Sequence, residues 1–188
     1  DHDEQLATLR DLPGDVLVWS EGPAVEGVAG VRRADLRPAA LLAVWTAPPG
    51  PDEWRAALAC VGPGTVALFG VDAAQDAEDI FLRRLAGAVR LALNEREGRA
   101  EIDRLAGALA QRAATVRAGL DWLTARGDIA GWDETDSVAH IRRGPGIAST
   151  EAIETALARV QAHLRETQAY RAHFRRADAR SLVEEVKE

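Results

Sequence analysis

Few residues in this chain have the types and spacing that chemistry needs. The four histidines, His2, His140, His163 and His173, are scattered, and no HExxH or CxxC pair accompanies them, so no metal-ligand spacing is present. His163 and His173 fall ten residues apart, which on a helix turns them to different faces. Asp133, Glu134 and Asp136 cluster, but in a stretch expected to be a polar, solvated loop tip. Cys60, the one cysteine, has no histidine near it in sequence to serve as a base and reads as core filler. Gly62-Pro63-Gly64-Thr65 lacks the lysine of a phosphate-binding loop. Gly22, Gly27 and Gly30 are too widely spaced, and interrupted by Pro23, for a dinucleotide fingerprint. These residues lead to the expectation that the chain is not itself an enzyme and has no cofactor of its own.

Arginine is what remains. Lys187 is the only lysine, against 22 arginines. Guanidinium groups suit bidentate contacts with carboxylates and phosphates, although the codon use of a GC-rich genome produces the same bias. Arg112, Thr115 and Arg117 open an expected helix, and His140, Arg142 and Arg143 follow on an expected strand. In a DNA binder these residues would contact phosphates or base edges. In a protein-binding module the helix would instead pack on a neighbouring domain, its arginines solvated or paired with Asp121, Asp128 and Asp136. The short side chains of Ala113, Ala114 and Ala118 favour close packing over base readout, hence a protein-facing role. Arg171, Arg175, Arg176 and Arg180 stand against Asp178 alone and form a second basic candidate, or a solvated helical end.

The elements that must position these residues follow from periodicity and breakers. A helix is expected over 3–11, then strands at DVLVWS (15–20), AALLAVWT (39–46) and TVALFGV (65–71). The second strand is nearly all apolar, as when both faces of a sheet are covered. Between it and the third, Pro51 opens a helix with Asp52 and Glu53 in its first turn. Such alternation predicts a small parallel three-stranded α/β layer. A long helix is expected over 77–97 and another over 101–110. Next comes a recognition-type helix from Arg112, with Val116, Leu120 and Leu123 on one face, stopped by Gly127. Strands at 128–132 and 138–143, with a tip at 133–137, would complete a winged helix-turn-helix. After the Gly144-Pro145-Gly146 break, a last helix capped by Ser149 or Thr150 is expected to about Arg176. The expected divisions are therefore 1–75 (a small Rossmann-like α/β subdomain), 76–146 (helix plus winged helix-turn-helix) and 147–188 (C-terminal helix).

Composition bounds the function classes. The chain has 188 residues, 47% of them apolar, enough to bury a core. Residues 1–98 carry 16 acidic and 9 basic side chains, and residues 99–188 carry 14 of each, for a net charge of −7. That balance argues against strong independent nucleic-acid binding. No apolar run reaches the ~18 residues of a membrane helix. A single cysteine fits a reducing cytoplasm, and the absence of any methionine leads to the expectation of a piece of a longer protein.

DVLVWS, LLAVWTAPPGPDEWRAAL, TVALFGVD, FLRRLAGAVRLALN and LAGALAQRAATVRAGLDWLTARGDI follow one another in this order. Together they resemble the C-terminal extension of the RecJ-type exonucleases of bacteria, which degrade single-stranded DNA from the 5′ end. The WTAPP turn and the FLRRLAG…LALN helix are its most specific parts. The family's catalytic core is a DHH phosphoesterase, with two metal ions, manganese or magnesium. That core is not expected in this chain, since Asp1-His2-Asp3 does not read as a DHH motif with its apolar strand and partner carboxylate motifs. The resemblance implies an accessory module for DNA repair and recombination that contacts partners. The first is the acidic, Phe-ended tail of the single-stranded-DNA-binding protein (SSB), and the second a hexameric DNA-translocating ATPase. A site for such a tail needs arginines beside an apolar slot. The alternatives are a DNA-binding winged-helix module and a transcriptional regulator with an α/β sensing domain.

Overall fold

The structure, a computed structural model, describes residues 2–145 and 148–184. The expected break residue Gly146 and the lone Lys187 lie outside the described residues, as do parts of the expected 1–75, 76–146 and 147–188 divisions. The chain forms two compact units, 1–73 with 168–188, and 74–167. The long C-terminal helix divides between them at Thr167 and Gln168.

In the first unit, helix α1 (His2–Arg10) precedes strand β1 (Val16–Trp19), strand β2 (Leu41–Thr46), helix α2 (Pro51–Val61) and strand β3 (Thr65–Val71). The strands make a parallel sheet in the order β1-β2-β3, with Val16 opposite Leu41 and Leu41 opposite Thr65. The mixed α/β class with a small parallel three-stranded sheet therefore stands as expected. Strand residues alternate between faces. Leu17, Trp19, Leu42 and Val44 pack with Trp54, Ala57 and Val61 of α2, while Val18, Ala43 and Trp45 pack with Leu6 and Leu9 of α1. This two-sided cover explains why β2 is apolar at almost every position. Helix α2 begins at Pro51 after an extended Gly50 and stops at left-handed Gly62 (φ 56°). Trp54 stacks on Trp19 at 6.5 Å, meets Phe174 edge-on at 5.5 Å, and donates its indole N–H to the Leu182 carbonyl at 2.7 Å.

In the second unit, helix α3 (Glu78–Glu95) is followed by strand β4 (Arg99–Glu101), helix α4 (Ile102–Leu109) and helix α5 (Ala113–Arg126). Strands β5 (Gly131–Thr135) and β6 (Val138–Arg142) come next, then helix α6 (Thr150–Phe174), whose residues to Thr167 belong to this unit. Val116, Leu120 and Leu123 are buried together, as their spacing predicts, beside Phe81, Leu85, Ile102, Val160 and Leu164. Left-handed Gly127 ends α5, and Ser149 Oγ accepts the Ala152 N–H at the start of α6.

Two local expectations are corrected. The hairpin strands begin and end later than expected on the first side, and the tip is only Asp136-Ser137, both left-handed (φ 51° and 62°). Asp133 and Glu134 belong to β5, because a sheet edge with one solvated face alternates polar residues that sequence alone reads as loop. Strand β4 was not expected. Three residues are too few to display a period, and they join the antiparallel sheet β4-β6-β5 through long-range pairing, Ala100 opposite Ala139. Helix α7 (Ala179–Glu184) in the first unit was also not expected. Among the described residues no helix is long and apolar enough to cross a membrane.

Candidate functional site

Helix α3 packs with α5 in the second unit, and a groove of about 650 Å³ runs along α3 and past the C-terminal end of α5. Leu82, Ala86, Val89 and Leu93 of α3 line it with Trp122, Leu123 and Ile129. The spacing of the α3 residues puts them on one helical face. Four arginines rim this apolar floor, Arg83 and Arg90 from α3, Arg126 from α5 and Arg143 after β6, against the carboxylates of Asp79 and Asp128. The Arg126 guanidinium lies 4.5 Å over the Trp122 ring and reaches Asp128 at 3.3 Å. Arg143 donates to the Leu93 carbonyl at 3.0 Å and to Asn94 Oδ1 at 2.7 Å. Among the described residues, Arg90 and Arg143 have no carboxylate partner. The groove is therefore a cationic, apolar-floored slot on an acidic chain.

Of the candidate partner- or DNA-binding residues singled out from sequence, Arg143 alone lines this groove. Arg142 lies one residue before it and pairs with Asp133 across the hairpin. His140 stands opposite Asp133 and Arg99 in the sheet register. Arg117 makes a two-pronged contact with Glu134, at 2.8 and 2.7 Å. That contact, first through its hydrogen bonds, holds the Glu134 carboxyl below the usual carboxylate range and raises Arg117 further. Arg112 donates to the His163 carbonyl at 3.3 Å and pairs with Glu166, again lowering the Glu166 carboxyl.

Two expectations of surface contact are corrected. Thr115 is fully buried, because α5 is covered by neighbouring elements on more than one face. Arg171 is 1% exposed and donates to the Ala47 carbonyl at 3.1 Å, so it belongs to the interior of the first unit. Arg175 pairs with Asp72 at 2.9 Å, whereas Arg176 and Arg180 are exposed. The carboxylates expected opposite the helix arginines are also redistributed: Asp121 accepts the Trp132 indole N–H at 3.0 Å and faces Arg159 at 3.3 Å. Cys60 is exposed rather than a core filler.

Sequence reasoning missed Arg83, Arg90, Trp122 and Arg126. The signal was present on α3, where Arg83 and Arg90 recur seven residues apart beside Leu82, Val89 and Leu93. Which side of that helix another helix leaves uncovered is a tertiary fact. Among the described residues, no three His, Cys, Asp or Glu side chains converge as a metal site requires. No family model matches the chain, and comparisons with curated proteins and with solved structures return no match.

Proposed function

We propose that this chain is a non-catalytic, partner-binding accessory domain of a RecJ-type 5′→3′ single-strand exonuclease, acting in the cytoplasm. In this reading residues 102–142 are a winged helix-turn-helix, and their platform holds a protein segment. The single observation that supports it most is the α3–α5 groove, where four arginines surround an apolar floor. An acidic peptide ending in an aromatic residue has the complementary chemistry. Its carboxylates suit bidentate guanidinium contacts and its ring suits the Trp122 side of the slot. The SSB tail is the proposed partner, and a hexameric DNA-translocating ATPase the second.

The DNA-groove reading has less support. Arg112 and Arg117 are already engaged by Glu166 and Glu134, Thr115 is buried, and the hairpin tip carries Asp136. A regulator with a sensing domain has no observation in its favour beyond the α/β class itself.

Calorimetric titration of the chain with an acidic peptide ending in phenylalanine tests the proposal, with a Kd on the order of 1–100 μM expected for a small peptide interface. An amidated peptide, lacking the terminal carboxylate, should bind more weakly. No heat at millimolar peptide, or tighter binding to a short DNA duplex than to the peptide, rejects the reading.

A further inference from the structure

Among the described residues, three glycines lie inside helices of the second unit. Gly107 of α4 is buried. Gly119 of α5 is needed for packing, since a Cβ there would lie 2.3 Å from Leu85 Cδ2 and 3.2 Å from the Phe81 ring. Gly87 differs from both. It is exposed in the middle of the 18-residue α3, and a Cβ there would meet nothing within 4 Å among the described residues. Glycine destabilises a helix interior relative to alanine, and no contact among the described residues offsets that cost at Gly87. A helix surface without a Cβ does allow another backbone to come close.

The neighbours of Gly87 say what kind of backbone. Arg83 lies four residues before it and Arg90 three residues after, so all three share one helical face. Arg90 has no carboxylate partner among the described residues, and Arg83 reaches Asp79 only at 3.8 Å. The two guanidinium stems are separated by about 10 Å along the helix axis, a distance that about three residues of extended chain span. Ala86, beside Gly87, opens directly onto the groove floor.

We propose that the partner segment passes over α3 at Gly87 on the line from Arg83 to Arg90, just outside the groove lining, its main chain against the bare helix surface and a run of acidic side chains on the two arginines. This rests on the groove reading above and adds a specificity determinant to it. Gly87 selects for close passage of an extended acidic chain, and the flanking arginines select for several carboxylates along that chain over a single one.

The test uses the full chain and a synthetic peptide with four consecutive aspartates and a C-terminal phenylalanine. Affinity is measured for wild type, Gly87→Ala, Gly87→Gln and Arg90→Gln, with a thermal melt of each. Gly87→Ala should raise the melting temperature yet weaken binding about threefold or more. Gly87→Gln and Arg90→Gln should each weaken it about tenfold. If Arg90→Gln weakens binding while both Gly87 variants bind as wild type does, the crossing at Gly87 is overturned and the groove reading stands. Binding that ignores all three substitutions places the peptide elsewhere and overturns both. Absence of binding by wild type does the same.

Discussion

Replacing Gly98 with alanine should destabilise the second unit well beyond the cost of its left-handed backbone alone. Gly98 has φ +77°, and a Cβ there would lie 2.1 Å from the Ile141 carbonyl oxygen and 3.2 Å from its carbon. The left-handed backbone alone costs a residue with a Cβ about 1–2 kcal/mol. The clash is with backbone, so β6 must move away, and overpacking of that kind costs about 1–3 kcal/mol. Movement also strains the 2.8 Å hydrogen bond from the Ile141 N–H to the Gly98 carbonyl, worth about 1 kcal/mol. Together these give a loss of about 3–6 kcal/mol, a large part of the ~5–15 kcal/mol that holds a domain folded. Gly14→Ala is the control, because Gly14 has φ +78° and nothing within 4 Å of a Cβ. It should lose only the conformational part, about 1–2 kcal/mol. Urea unfolding followed by circular dichroism gives the totals, and amide exchange at Ile141 reports the second unit directly. Arg143 follows Ile141 by two residues, so Gly98→Ala should also weaken peptide binding. Equal losses for Gly98→Ala and Gly14→Ala would refute the argument that β6 is pinned by the absence of a side chain at Gly98.

Other substitutions probe separate parts of the structure. Thr115→Val should be neutral or stabilising by up to about 1 kcal/mol, since the buried Thr115 Oγ1 has no hydrogen-bond partner among the described residues; a clear loss of stability in a chemical melt would contradict this. The folded Glu134 carboxyl is depressed by Arg117, so its contribution is complete above the ordinary glutamate pKa of about 4.3 and fades as pH falls through the folded value. Because the pair is partly exposed, Glu134→Gln should cost no more than about 1 kcal/mol at pH 7, with its stability converging on wild type as pH falls through the depressed value of the folded Glu134 carboxyl; a gap that persists in strong acid would reject the ion pair as its cause. Arg143→Ala should leave the melting temperature nearly unchanged and reduce affinity for the acidic peptide about tenfold, whereas unchanged affinity would remove Arg143 from the site. Trp54→Phe should lose about 1–3 kcal/mol in a urea melt, through the unpaired Leu182 carbonyl and lost ring area.

The alternation of strand and helix through residues 15–71 is legible in the sequence, because each element carries its own punctuation. Pro51 and Gly62 bound α2, and the apolar run of β2 announces cover on both faces before any partner is known. The face of α5 that holds Val116, Leu120 and Leu123 is legible for the same reason, since a period of 3.6 is a property of the segment alone. The groove is not. Arg83 and Arg90 look like any solvated helical charges until α5 and Arg143 are placed beside α3, and Thr115 looks like a surface residue until neighbours close over it. Strand β4 exists only because Gly98 lets residues 99–101 lie against β6, forty residues away in sequence. Local steric and hydrophobic rules act within a turn or two of chain, so sequence determines which elements form and where they stop. Which arginines stay free to meet a partner depends on who packs against whom, and that is decided only when the chain has folded.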